Sequence, residues 1–177
     1  MSLTKLRTIW GAILFSTLFE LAVVLESDFD RHVELQHGTF FGLVGAVVVL
    51  TVASFVLPRR LYREALARLA LSVTEVPVQE GASIRDYRSP AGSERVFRDP
   101  PTARDAALRA FQAPFIVGIA LADATAIIGF MIAIERVAPS FYALPFFALA
   151  WLLLGLRYPR IDRVIGPAER AYSAKLP

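Results

Sequence analysis

The chain alternates between long apolar blocks and polar segments rich in arginine. The apolar blocks cover Thr8–Leu25, Thr39–Leu57, Gln112–Ile134 and Ala138–Leu156. Each block has about the 17–25 residues that a helix needs to cross the hydrocarbon layer of a bilayer. Because lipid offers no hydrogen-bond partner to the backbone, a chain that crosses it must be helical. The pattern therefore predicts an all-α fold, a four-helix transmembrane bundle in contact with the lipid bilayer.

The distribution of lysine and arginine predicts how these helices are oriented. The N-terminal residues carry Lys5 and Arg7, and ten arginines lie between helices 2 and 3. By contrast, the loop between helices 1 and 2 has one arginine among four acids, and the link between helices 3 and 4 has only Arg136. Basic residues accumulate on the cytoplasmic side of membrane proteins. Both termini are thus expected in the cytoplasm, in a multi-pass protein of a bacterial-type inner membrane.

This orientation divides the chain into four parts. Residues 1–58 hold helices 1 and 2 with an outer loop at 26–38, and residues 59–110 form a cytoplasmic segment. Residues 111–158 hold helices 3 and 4, and residues 159–177 form a cytoplasmic tail. Helices 2 and 3 are both expected to extend beyond the membrane into the cytoplasmic segment.

The cytoplasmic segment is predicted to begin and end with helix. Apolar residues at helical spacing in Arg59–Ser72 indicate that helix 2 continues beyond Pro58. A stretch rich in Pro, Gly and Ser follows, which is typical of extended or irregular chain with room for a short hairpin. Thr102 and Asp105 then resemble a capping box, with Asp where Glu is usual, and predict the start of helix 3 there.

Composition excludes several classes of function. The chain is 55% hydrophobic, has no cysteine and carries a net charge of +3, so disulfides and thiolate chemistry are excluded. No nucleophile elbow, phosphate-binding loop or dinucleotide fingerprint occurs, so no catalytic residue, enzyme activity or cofactor is expected. Acids interspersed among the arginines argue against nucleic acid as a partner. Residue types that bind metals occur in the outer loop, but a solvated loop without metal is the favoured interpretation; these residues are Asp28, Asp30, His32, Glu34 and His37.

Two carboxylic acids interrupt the apolar blocks at nearly the same depth. At 1.5 Å per residue, Asp123 lies roughly 16 Å and Glu20 roughly 18 Å from the cytoplasmic boundary. An acid at the bilayer centre costs roughly 2.5–3.5 kcal/mol on insertion scales, and no basic residue lies within the apolar blocks to offset this cost. The neutral, protonated form is therefore expected. Candidate hydrogen-bond partners are Ser16, Thr17, Thr51 and Ser54.

Small residues form a stripe along helix 3. At helical spacing they fall on one face, comprising Gly118, Ala122, Ala126, Gly129 and Ala133. Such a stripe lets another helix approach closely, and Gly42 and Gly45 suggest a similar surface on helix 2. We therefore expect these residues to pack against helices. The acids have an alternative interpretation as hydrogen-bonding contacts between helices, worth about 0.6 kcal/mol on average.

The stretch GIALADATAIIGFMIAI resembles the second helix of the proteolipid, or c, subunits of rotary ATPases. That family places an ion-binding acid at mid-membrane in a pattern of the type A-L-x-E-A-x-x-I-x-G. Asp123, Ala124, Ile127 or Ile128, and Gly129 stand at the corresponding positions. The resemblance covers about 20 residues. It implies that Asp123 is a reversible proton site and that helices 2 and 3 form a c-like hairpin. The similar depth of Glu20 makes it a second proton-binding candidate.

Two functions are compatible with these patterns. The first is a non-catalytic accessory subunit that packs within a larger membrane complex or a homo-oligomer, with residues 59–110 available to a cytoplasmic protein partner. The second is a proteolipid-like protein that moves protons through its mid-membrane carboxylate. A small transporter is disfavoured, because no broken helix marks a substrate site.

Overall fold

The computed structural model describes residues 2–26, 34–77 and 93–175, and its three longest helices coincide with the first three apolar blocks. Helix α1 covers Leu3–Glu26, α2 covers His37–Ala67 and α3 covers Pro100–Ile134. Each is long and apolar enough to cross a membrane. The mostly helical fold and the fit to a multi-pass membrane protein agree with the sequence prediction, and α2 continues through Pro58 as expected.

The fourth apolar block, predicted as one helix over Ala138–Leu156, is helical over Ser140–Leu156, but its first turn is not α-helical. A 3-10 helix at Ser140–Ala143 precedes α4, which covers only Leu144–Leu156. Pro145 lies in the first turn of α4, the place where a helix tolerates a residue without an N–H group. The 13 residues of α4 extend only about 20 Å. The described residues therefore hold three candidate spans, or four if α4 and the next helix, bent by 59°, are one span.

The C-terminal tail contains a further helix, which was not predicted. Helix α5 covers Ile161–Tyr172 and buries Val164 and Ala168 on one face. The phenol of Tyr62 donates a hydrogen bond to the carbonyl of Val164, with an O···O distance of 2.6 Å. Helix α5 thus packs along the extension of α2, because its four-residue apolar spacing provides a face that the extension can cover.

Replacing Tyr62 with phenylalanine is expected to weaken the docking of α5. Burial raises the pKa of the Tyr62 phenol, which therefore stays a neutral donor across the physiological pH range. Its loss leaves the Val164 carbonyl without that donor and should cost about 1–3 kcal/mol. Hydrogen exchange of the α5 amides measures this loss. Tyr158→Phe is the control, and equal protection of α5 in both variants would contradict the expected role.

A short hairpin completes the arginine-rich segment. Strand β1, Val73–Pro77, pairs with β2, Ser93–Phe97, in antiparallel register. Lys175, the last described residue, forms a parallel bridge with Val96, and its backbone N–H donates to the carbonyl of Arg95 at 2.8 Å. The extended chain expected from Pro, Gly and Ser therefore includes a two-stranded sheet, and Lys175 lies along its edge.

Helix α3 begins before the predicted start at Thr102. Asp99 is the N-cap, and its carboxylate accepts hydrogen bonds from the backbone N–H of Thr102 at 3.2 Å and from its hydroxyl at 2.7 Å. The prediction of a capping box from Thr102 to Asp105 was thus wrong by three positions, because Pro100 and Pro101 suit the first helical turn. The bonds from Thr102 lower the pKa of Asp99, so the cap is present at neutral pH and is lost as the pH falls through that lowered value.

Helix α3 lies at the centre of the fold and contacts α1, α2, α4 and α5. One buried cluster joins the start of α1, the end of α2, the start of α3, the end of α4 and α5. Its members include Leu6, Leu66, Leu108, Leu154 and Val164. We call this part of the molecule the basic end, since the arginines of the long polar segment flank it. Successive long helices therefore run in opposite directions, and the ends of the described chain meet at the basic end.

Candidate functional site

The two acids of the apolar blocks lie on neighbouring helices. Helices α1 and α3 pack against each other, with Glu20 on α1 and Asp123 on α3, and both side chains are half-buried. The similar depth predicted from the sequence is therefore accompanied by contact between the two helices that hold the acids, which the sequence alone did not establish.

Neither acid is fully satisfied by hydrogen bonds. The Oε2 atom of Glu20 and the Oδ1 atom of Asp123 are buried without a hydrogen-bond partner. A buried acceptor in this state costs about 1–3 kcal/mol. Protonation of either carboxyl removes its charge and creates an O–H donor. The chemistry available to this pair is thus the binding and release of a proton.

The polar residues proposed as partners of the acids have other roles. The hydroxyl of Ser54 donates to the carbonyl of Thr51 at 2.7 Å, within α2, and the Thr51 hydroxyl is buried without a partner. Thr17 donates to the carbonyl of Leu14 at 2.9 Å. Ser16 is exposed. These side chains therefore do not provide the hydrogen bonds that were expected at the acid pair.

Thr17 instead connects α1 to α4. Its hydroxyl accepts a hydrogen bond from the indole N–H of Trp151 at 3.1 Å. A second indole, that of Trp10, donates to the carbonyl of Leu154 at 2.9 Å. Each bond joins an indole on one of the two helices to an oxygen on the other. Two hydrogen bonds therefore hold α1 and α4 together, in addition to apolar packing.

The small-residue stripe of α3 is buried within this chain. All five of its residues are buried, namely Gly118, Ala122, Ala126, Gly129 and Ala133. A Cβ atom at Gly129 would lie 2.8 Å from the Cβ of Phe146 and 3.2 Å from the carbonyl oxygen of Ala143. The stripe therefore lets α4 and the preceding 3-10 helix approach α3, as expected of small residues.

The glycines of α2 have a different environment. Gly42 and Gly45 are exposed, and a Cβ atom at either position would meet nothing within 4 Å. They contribute no close helix contact among the described residues. The predicted helix-packing surface on α2 is thus an open face of this chain rather than part of its core.

Arg157 is a functional candidate that the sequence analysis missed. The sequence pattern gives Arg157 no particular role, but its Nη2 donates to the carbonyl of Ser54. Its guanidinium carbon lies 3.2 Å from where a Cβ atom of Gly118 would be, and 5.6 Å from the centre of the Phe55 ring. Gly118 therefore leaves room for an arginine side chain that turns back toward the helices. The contact could not be found from the sequence, because it depends on how α2, α3 and α4 are placed relative to one another.

The outer-loop residues form no metal centre in the part of the chain that the structure describes. The Nδ1 atom of His37 lies 2.9 Å from the carbonyl oxygen of Leu35, and Glu34 is exposed. Asp28, Asp30 and His32 lie outside the described residues.

Comparison of this chain with protein-family models, with curated proteins and with solved structures finds no match.

Proposed function

We propose that this chain is a non-catalytic integral membrane protein in which Glu20 and Asp123 together bind one exchangeable proton. The observation that carries the proposal is that the two acids lie on helices packed against each other, and that each has a buried oxygen without a hydrogen-bond partner. The apolar blocks Thr8–Leu25 and Gln112–Ile134, which hold them, contain no lysine, arginine or histidine. A proton is the simplest cation that can offset the repulsion between the two carboxylates.

The physical basis is the low dielectric constant of the bilayer interior. Two carboxylates close together in such a medium repel each other strongly, so one shared proton lowers the free energy of the pair. Loss of that proton restores the repulsion between α1 and α3. The proposed site therefore couples proton release to the packing of these two helices. The resemblance of the Asp123 region to proteolipid subunits supports the same role for Asp123.

The environment of the acids favours this role over that of a simple contact between helices. A structural acid is expected to donate or accept hydrogen bonds across a helix interface. Here each acid has a buried oxygen without a partner, while the neighbouring hydroxyl of Thr17 is used by Trp151. An unsatisfied pair stabilises the fold poorly, which suggests that it serves another purpose.

A second candidate function is that of an accessory subunit in a larger membrane complex or homo-oligomer. The open face around Gly42 and Gly45 favours it, since another helix can approach closely there. The same face exposes Phe41, Val49 and Val52. In this function the arginine-rich segment would lie at the cytoplasmic side, available to a protein partner.

The substitution Asp123→Asn tests the proposed proton site. We expect wild-type protein in nanodiscs to show the infrared carbonyl band of a protonated carboxylic acid at neutral pH, and the variant to lose it. Any proton flux into reconstituted vesicles should be abolished as well, while helical content stays unchanged. Replacing the carboxylic acid with an amide keeps the shape of the side chain but removes the exchangeable proton.

Asp105→Asn is the matched control, because Asp105 is an exposed acid on the same helix. It should leave both the carbonyl band and the flux unchanged. If Asp123→Asn behaves like this control, the proton site does not exist.

A further inference from the structure

A groove runs along α2 at the point where that helix leaves the apolar block. It has a volume of about 580 Å³ and is lined by Phe55, Val56, Arg59, Arg60, Arg63 and Glu64. All six residues lie on α2 and are exposed, so the groove is open to its surroundings. Its apolar lining belongs to the apolar block and its charged lining lies beyond Pro58, so the groove changes from apolar to basic along its length.

The groove has more positive than negative charge. Its only acid, Glu64, forms an ion pair with Arg60 at 3.1 Å, and this pair leaves Arg59 and Arg63 without a carboxylate partner in the described part of the chain. Both side chains are exposed. The groove therefore presents two guanidinium groups, one helical turn apart, to a ligand.

Arg157 adds a third guanidinium group at the edge of this groove. Its guanidinium carbon lies 5.6 Å from the centre of the Phe55 ring. Its Nε–H is buried without a hydrogen-bond partner. A buried donor in this state raises the free energy of the fold unless a ligand supplies an acceptor. The unpaired Arg59 and Arg63, with this donor of Arg157 beside Phe55, thus favour an anionic ligand.

We propose that Arg59 and Arg63, with Arg157 beside them, bind the phosphate headgroup of an anionic phospholipid whose acyl chain lies along Phe55 and Val56. The distance along α2 from Phe55 to Arg63 is about 12 Å, enough for the headgroup and the first carbons of the chain. Basic residues at the membrane boundary attract anionic lipids, and here the groove gives that attraction a defined position. This inference is independent of the acid pair.

The experiment uses the purified full-length protein in a neutral detergent. Short-chain phosphatidylglycerol is added, and binding is followed through the increase in thermal unfolding temperature. Short-chain phosphatidylcholine and inorganic phosphate are added in parallel. We expect phosphatidylglycerol to stabilise the protein much more than either of them, because only this lipid combines an anionic phosphate with an acyl chain.

The double variant Arg59→Gln/Arg63→Gln should bind phosphatidylglycerol roughly tenfold or more weakly, since each arginine near a membrane surface contributes substantially to the attraction. The matched control, Arg104→Gln/Arg109→Gln, removes two exposed arginines from α3 and should bind like the wild type. Equal weakening in both double variants would overturn the site. Equal stabilisation by phosphatidylcholine, or by inorganic phosphate, would overturn the assignment to an anionic lipid.

Discussion

Gly129→Leu is expected to destabilise the protein by about 3 kcal/mol, whereas Gly42→Leu should have little effect. At Gly129 even a Cβ atom would lie 2.8 Å from the Cβ of Phe146 and 3.2 Å from a backbone oxygen. Neither atom belongs to the flexible end of a side chain, so α4 must move away from α3. Overpacking of a core costs about 1–3 kcal/mol, and leucine at this position should lie at the upper end of that range.

Reversible unfolding in mixed micelles measures this difference. Gly42 is the matched control, because a Cβ atom there meets nothing within 4 Å. Gly118→Leu should have a smaller effect than Gly129→Leu, since part of what it displaces is the flexible side chain of Arg157. Similar unfolding free energies for the variants at Gly129 and Gly42 would contradict the packing described for α3. A smaller oligomer for Gly42→Leu alone would favour the accessory-subunit function.

Replacing both acids with leucine is expected to stabilise the protein. Each acid has a buried oxygen without a hydrogen-bond partner, a condition that costs about 1–3 kcal/mol. Glu20→Leu/Asp123→Leu removes both unsatisfied oxygens and adds apolar surface that lipid accommodates. We therefore expect the double variant to gain about 2 kcal/mol or more in unfolding free energy, while it loses the proposed proton binding.

The single variants Glu20→Leu and Asp123→Leu complete a double-mutant cycle. In each single variant the remaining acid has lost the partner with which it is proposed to share a proton. Each single variant should therefore gain less than half of the unfolding free energy that the double variant gains. A net loss of stability in the double variant would show that the acids are structural contacts between helices, and the proposal of a shared proton would then fail.

Much of the helical architecture was predictable from the sequence. The first three apolar blocks predicted α1, α2 and α3, because chain that crosses lipid must satisfy its own backbone hydrogen bonds. The continuation of α2 past Pro58 was also visible as helical periodicity, whereas the capping box predicted the start of α3 three positions too late. The 3-10 turn that precedes α4 was missed, since hydrophobicity alone does not register the effect of two prolines near a helix start.

The candidate site was predictable only in part. The sequence alone predicted that Glu20 and Asp123 lie at similar depth, and it showed that no basic residue accompanies them in the apolar blocks and that α3 has a stripe of small residues. It did not determine that α1 and α3 are neighbours, that the stripe is covered by α4 within the same chain, or that Gly42 and Gly45 remain open.

These last features depend on which helices touch and on how each is rotated about its axis. Composition and periodicity describe one helix at a time, whereas the side chain of Arg157 reaches Ser54 and Gly118 across two other helices. Polarity and predicted depth are thus properties of single segments, which can be read from the residues of each segment. Contacts between helices depend on the packing of many side chains, which selects one arrangement of the helices, so they become visible only in the folded chain.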